Sequence, residues 1–300
     1  QPMIAVVTNV DEDHMGTYGG DFQQVKDAFN SFLHQLPFYG LAVLCVDDEN
    51  VRELSASIGK PVLTYGIDQT ADFQALDVKQ EGLRTHFNLK RLNTNELLPL
   101  TLNMPGRHNV LNALAAIAVA SELGVSDEAI AAGLNQFKGV GRRFQVNGEI
   151  NLDNGSALLV DDYGHHPREV MATIKAVREG WPNKRLVLAF QPHRYSRTHD
   201  LFEDFVEVLN EVDVLVLLDV FAAGEKPIAG SDGPSLSKAI RQRGKLIPIF
   251  VKDIEQLPIV LKGVLLPNDI VLTSGAGDIG AASAKLEAQL NNQQKSDQDT

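Results

Sequence analysis

Val160-Asp-Asp-Tyr-Gly-His-His-Pro167 gathers the densest set of reactive side chains in this sequence: two carboxyls, a phenol, a permissive glycine and paired imidazoles between an apolar run and a proline. Adjacent imidazoles on an irregular loop need not share a face, so His165 and His166 make a weaker metal pair than histidines at i and i+4. Asp161 and Asp162 also suit simple capping of a turn. A second segment, Gln191-Pro-His-Arg-Tyr-Ser-Arg-Thr-His199, holds two arginines and two histidines with no acid before Asp200. In an acidic chain that local reversal of sign matters, and Arg194 and Arg197 suit a clamp on a carboxylate or phosphate. In Gly139-Val-Gly-Arg-Arg-Phe-Gln145, glycines free the backbone beside Arg142 and Arg143. Either guanidinium could stabilise developing phosphoryl charge, and a surface ion pair is the plain alternative.

Nearer the start, Pro105-Gly-Arg-His-Asn-Val-Leu-Asn112 turns into an Ala-rich helix with Arg107, His108 and Asn109 at its positive end. A helix start attracts anions, and an Asn amide matches the N6/N7 edge of adenine. Asn109 would serve equally as an N-cap, with Asn112 simply exposed. Thr8-Asn-Val-Asp-Glu-Asp-His-Met15 crowds three acids and an imidazole after a strand-like run. Those oxygens suit Mg²⁺, an ion that keeps much of its water, with His14 as a further ligand. A solvated acidic loop is the alternative. Gly275-Ala-Gly-Asp-Ile-Gly280 fits G-x-G-x-x-G, yet it lacks the following strand and the acid about 20 residues on that a dinucleotide site requires. It reads better as a tight strand-to-helix turn. Gly224-Glu-Lys-Pro227 borders the same predicted crevice without an assigned role.

Elements must hold these groups. At about 150 residues per domain, 300 residues predict two domains. Lys plus Arg number 27 against 39 Asp plus Glu, a net charge of −12, which disfavours nucleic acid or anionic lipid as partners. With 44% hydrophobic and 22% charged residues the composition is that of a globular protein, not a collagenous, coiled-coil or disordered one. The single cysteine, Cys45, lies in an apolar run, which excludes an internal disulfide and fits a reducing cytoplasm. No stretch approaches the ~18 apolar residues of a membrane span, and no charged leader followed by an apolar region opens the chain.

Met3 to Val7 predicts a strand apolar on both faces, hence covered on both sides. A chain that opens inside such a strand reads as the continuation of sequence that precedes it. Phe22, Val25, Phe29, Phe32 and Leu36 repeat at helical spacing. Leu41 to Val46 and Pro61 to Tyr65 predict strands around a helix near Asn50 to Ser57, and Phe73 to Leu102 alternates as a β-rich patch. Asn109 to Leu123 is helical, with Ala115, Ala116, Ala118 and Ala120 allowing close packing, and Ser126 caps a second helix to about Gln136. From Ser156 the rhythm is βαβ: strands at Ala157 to Val160, Leu186 to Phe190, Val212 to Leu218, Pro248 to Val251 and Asp269 to Thr273. Helices begin at Pro167, Leu201, Ser235 and Ile279. The boundary falls near Asn147, giving domains over 1–147 and 148–290 and a disordered tail over 291–300.

Taken in order, Asp13-His-Met15, Gly106-Arg-His-Asn-Val-Leu-Asn112, Gly139-Val-Gly-Arg-Arg143, Asp161-Asp-Tyr-Gly-His-His-Pro167 and Gln191-Pro-His-Arg194 resemble the Mur ligases. The last two segments look like the branch that joins L-alanine to UDP-N-acetylmuramate. The resemblance runs from about residue 1 to 285. It implies an α/β chain made of the C-terminal part of a P-loop-type central, ATP-binding domain followed by a Rossmann-like doubly wound α/β domain that binds the amino acid. It implies ATP-dependent amide synthesis in peptidoglycan assembly, through an acyl phosphate, with ATP and Mg²⁺ as cofactors. By the same resemblance His14 serves Mg²⁺; His108, Asn109 and Asn112 serve adenine; Arg143 serves the phosphates; and Asp162 belongs to the nucleotide side of the hinge. Arg143, Asp162 and His165 are the expected catalytic set, and Tyr163, His165, Arg194 and Arg197 border the amino acid and acyl phosphate.

The family's Gly-Lys-Thr phosphate loop and its N-terminal UDP-sugar domain are not in this sequence, and Gly16 stands where an Asp often follows His-Met. The expectation is therefore a segment inactive by itself, whose partner is the N-terminal half of the same polypeptide. Three other readings remain: a ligase attaching a whole peptide to the same sugar, a nucleotide-dependent oxidoreductase built on Gly275 to Gly280, and a stand-alone carboxylate-binding module.

Overall fold

The computed structural model of the chain describes residues 2–12, 15–94 and 96–298. The chain divides into two compact units between Lys138 and Gly139, ahead of the expected Asn147 boundary. The reason is a strand that the sequence conceals. Gln145–Leu152 pairs antiparallel with Gly155–Asp162 and so belongs to the second unit. Its polar Asn, Gly and Glu residues hide the alternation, and a bulge at Val146/Gly148, where Gly148 has φ 119°, shifts its register.

The first unit contains strands β1 (Ile4–Val7), β2 (Leu41–Cys45), β3 (Val62–Gly66), β4 (Phe73–Glu81), β5 (Arg84–Arg91) and β6 (Leu97–Leu102). They lie in the order of the sequence, β1 to β4 parallel and β4 to β6 antiparallel. Its helices are α1 (Phe22–His34), α2 (Glu49–Ser55), α3 (Arg107–Glu122) and α4 (Asp127–Gln136). Alternate residues of β2 show why both faces need cover. Ala42 and Leu44 pack with Val25 and Leu33 of α1 and Val51 of α2, whereas Leu41 and Val43 pack with Val110, Leu114 and Ile117 of α3. α3 lies close because Ala115 and Ala118 are buried against the sheet, while Ala116, expected to pack, faces solvent. Among the described residues β1 pairs with β2, and Val6 is 40% exposed.

The second unit holds β7 (Gln145–Leu152), β8 (Gly155–Asp162), β9 (Leu186–Phe190), β10 (Val214–Leu218), β11 (Ile249–Val251) and β12 (Ile270–Ser274), in the order β11-β10-β9-β12-β8-β7. All neighbours run parallel except β7 and β8. Helices α5 (Pro167–Gly180), α6 (Tyr195–Asp200), α7 (Phe202–Leu209), α8 (Gly233–Gln242), α9 (Leu257–Val264) and α10 (Ile279–Gln298) complete it. Leu186, Leu188 and Phe190 meet α5, α7 and α8 on one face, and Val187 and Ala189 meet α9 and α10 on the other. Such double cover is why β9 is a continuous apolar run.

Two expectations fail here. Residues 195–200 form α6, ahead of the helix expected to begin at Leu201, since a single helical turn needs no apolar periodicity. The expected disordered tail over 291–300 is helical as far as Gln298, with Asp299 and Thr300 outside the described residues. Asn291 anchors that extension, accepting from the Asn151 amide at 2.8 Å and donating to the Glu149 carbonyl at 3.1 Å. No helix among the described residues is long and apolar enough to cross a membrane.

Candidate functional site

In the second unit the carboxyl ends of β8, β9, β10 and β12 converge, the place where open α/β sheets bind ligands. β8 ends on Asp161 and Asp162, both buried. Asp161 accepts from the Arg142 Nε at 2.7 Å and from the Thr273 hydroxyl at 2.7 Å. The same guanidinium donates through Nη2 to the Gly275 carbonyl at 2.6 Å, so Arg142 is committed to structure. Asp162 accepts the Phe144 and Gly164 amides, each at 2.8 Å, tying the two-arginine turn to the start of the next loop. Burial pushes the Asp162 carboxyl up, against the pull of those two N–H groups and of Arg143. That is the turn-capping role open to it on sequence grounds.

Tyr163 follows, 38% exposed, with the Arg142 and Arg143 guanidinium carbons 5.1 and 5.8 Å from its ring centre. Its ring meets that of His165 edge-on at 5.2 Å, and His165 lies 5.8 Å from His193. Sequence reasoning missed the group that fixes this cluster, Glu169. Its carboxylate accepts the backbone amides of His165 and His166 at 3.0 and 3.2 Å and lies 3.5 Å from Arg143 Nη1. Burial acts to raise the Glu169 carboxyl, but those amides together with His165 and Arg143 hold it below the ordinary value. The signal was present in the sequence: Glu169 is the third helical residue after the cap His166, and the two form a reciprocal capping box.

From β9, Gln191 sends its amide N–H to Asp278 at 2.5 Å and accepts the Ile279 amide at 3.1 Å, so it caps the start of α10. Gln191 also explains the glycine motif. A side chain at Gly275 would meet the Gln191 carbonyl at 2.6 Å, one at Gly277 the Gln191 amide and the Phe221 ring, and one at Gly280 the Arg142 guanidinium. The three glycines are thus accounted for by close packing against Gln191, Phe221 and Arg142. His193 stacks on Phe221 at 5.6 Å with 9° between planes. Burial first, then the charges of His165, Arg197 and Arg194, depress it to about 4, so it stays neutral near pH 7. Arg194 enters α6 at φ 71°, and Arg197 follows in the last turn. The crevice thus joins Arg143, Tyr163, His165, Arg194 and Arg197 of the sequence reading, and adds Glu169 and His193.

In the first unit, Gly106 with φ 92° opens α3 without a side-chain cap, its amide donating to Gln80 Oε1 at 2.9 Å. Asn109 is therefore not the cap. It lies inside the first turn, buried, donating to the Pro105 carbonyl at 2.7 Å. Asn112, exposed on the same helix face, approaches Asn109 Oδ1 at 3.5 Å, and His108 lies half-buried beside them. Sequence reasoning missed Asp47, which accepts the amides of Ile67 at 2.7 Å, Asp68 at 3.1 Å and Gln69 at 2.9 Å. The loop so held carries Asp68, 2.5 Å from Arg107. His14, the expected Mg²⁺ ligand, lies outside the described residues; among the described ones no group of three metal-ligating side chains forms.

Two family models account for most of the chain: the Mur ligase middle domain over residues 1–120, and the Mur ligase, glutamate ligase domain over residues 142–277. The chain belongs to the Mur ligase family. Members of that family are ATP-dependent amide ligases of peptidoglycan synthesis. Among solved structures, the UDP-N-acetylmuramate-alanine ligase MurC of Thermotoga maritima is 26% identical, with a TM-score of 0.76 over 99% of this chain and 60% of that one. The MurF ligase of Thermotoga maritima, solved in complex with ADP, is 20% identical with a TM-score of 0.72, over 99% of this chain and 63% of that one. A murein peptide ligase of Psychrobacter arcticus is 19% identical with a TM-score of 0.63, over 97% and 58%. The chain thus spans roughly three fifths of the length of these relatives.

Proposed function

We propose that the complete gene product joins L-alanine to the carboxylate of UDP-N-acetylmuramate in the cytoplasm, as a UDP-N-acetylmuramate–L-alanine ligase. A carboxylate is a poor electrophile. ATP supplies the activation: its γ-phosphoryl group passes to a carboxylate oxygen, leaving ADP and an acyl phosphate, and Mg²⁺ would offset the phosphate charge. The amine nitrogen of alanine then attacks the acyl carbon, the C–O bond to phosphate breaks with its electron pair, and the nitrogen gives up a proton. Arg143 offers its charge to the phosphates. Asn109 and Asn112, with His108, hold adenine, and Asp162 keeps the Arg143 turn in place. His14 is proposed for Mg²⁺ on the resemblance alone.

The observation that carries the reading is the Arg194–Arg197 turn beside His165 and a neutral His193, a cationic patch in a chain of charge −12. It suits the single carboxylate of a small amino acid, with Tyr163 and His165 bordering the reacting end. Phosphate release from ATP by the complete gene product, given Mg²⁺ and UDP-N-acetylmuramate, should require L-alanine. The likeness to a murein peptide ligase supports a second reading, in which a whole peptide is the acceptor. Turnover with tripeptide and none with alanine would decide for that one.

A further inference from the structure

Gly224-Glu-Lys-Pro227, the motif without a role, turns out to grip the cationic turn. The backbone of 192–194 is stitched to this segment by the Phe221 amide on the Pro192 carbonyl and the Arg194 amide on the Phe221 carbonyl, each at 2.8 Å. Ala223 and Gly224, at φ 48° and 86°, then reverse the chain. The reversal aims the Glu225 carboxylate back at α6, where it accepts the Ser196 amide at 2.9 Å and the Ser196 hydroxyl at 2.7 Å. α6 has no side-chain cap of its own, because Arg194 occupies that position. Glu225 therefore supplies from a distant loop the acceptor the helix start lacks.

We infer that Glu225 is a positioning residue for the acceptor's carboxylate: by capping α6 from outside it fixes the directions in which Arg194 and Arg197 present their guanidinium groups. Its carboxyl is held below the ordinary range despite its burial, by Ser196 and by Arg194, so it carries charge at neutral pH and can grip the helix start. Thr198 closes the first turn through its amide and hydroxyl on the Arg194 carbonyl, at 3.2 and 2.9 Å, and Glu225 supplies the acceptor for the Ser196 amide that the six-residue helix otherwise lacks.

The inference rests on the proposed carboxylate clamp, and three variants of the complete gene product separate the two. Glu225→Ala should raise KM for L-alanine about tenfold, leaving KM for ATP and kcat at saturating alanine within about twofold. Glu225→Gln should restore most of the loss, since its amide oxygen can accept the Ser196 amide while its NH₂ donates to the Ser196 hydroxyl. Arg194→Met tests the clamp itself. If Arg194→Met raises KM for alanine and Glu225→Ala does not, or if Glu225→Ala raises the KM for ATP and for UDP-N-acetylmuramate as much as that for alanine, Glu225 is no positioning residue. An unchanged alanine KM in Arg194→Met removes the clamp and the inference with it. A melting temperature for each variant separates misfolding from misplacement.

Discussion

Arg142 and Asp161 form a 2.7 Å ion pair in which the carboxylate side chain is 3% exposed and its other oxygen accepts from Thr273. Removing one member of such a buried pair strands the other. Arg142→Met should destabilise the second unit by about 3 kcal/mol, read from urea unfolding. A loss near zero would mean that the Gly275 contact and the ion pair contribute nothing net.

His193 sets an acid limit. Its folded value of about 4 lies below the value near 6.5 expected of an unfolded chain. As pH falls from about 6.5 the unfolded state takes up a proton that the folded state refuses until about 4, so stability declines across that interval and levels below it. Asp162 acts with the opposite sign, because its raised carboxyl favours the folded state at pH values below its unfolded pKa and loses that contribution as pH rises through its folded value. Replacing His193 by Gln should flatten the decline. An unchanged slope of the urea midpoint against pH would refute this assignment.

Gly275 sits at φ 144° with the Gln191 carbonyl 2.6 Å from where a methyl group would stand. Backbone lies on the other side of that contact, so nothing can swing away. Gly275→Ala should cost about 2 kcal/mol or more in thermal unfolding.

Asp47 holds three successive amides with one side chain. Asp47→Ala should release residues 67–69, seen as faster amide exchange there, and cost about 2 kcal/mol. Formate, small enough to enter the vacated place, should slow that exchange again.

Periodicity made most of the fold legible. Val170, Ile174 and Val177 mark one face of α5, and Pro167 marks its start, because burial and φ restriction act within one or two turns. β7 escaped because its alternation is broken at Gly148, and α9 because Leu-Pro-Ile-Val-Leu carries no period to distinguish helix from strand. At the site, Tyr163, His165, Arg194 and Arg197 stood out by chemical type. Asp47 and Glu169 did not, and Gln191 and Glu225 stood only as members of motifs, without a role of their own, since acids and amides are common on an acidic surface and their value comes from donors brought to them by folding. Asn109 illustrates the reverse: its type suggested a cap, but Gly106 with its positive φ starts the helix one turn earlier.

The last strand of the second unit, β12, is not at the margin of its sheet but wedged between β8 and β9. During synthesis, then, the first two parallel strands emerge with a vacancy between them that only the carboxyl-terminal portion can fill. The unit must wait for the ribosome to deliver Ile270–Ser274 before its centre closes. A premature stop anywhere upstream of that point leaves two half-sheets with raw edges, and such products belong to proteases rather than to catalysis.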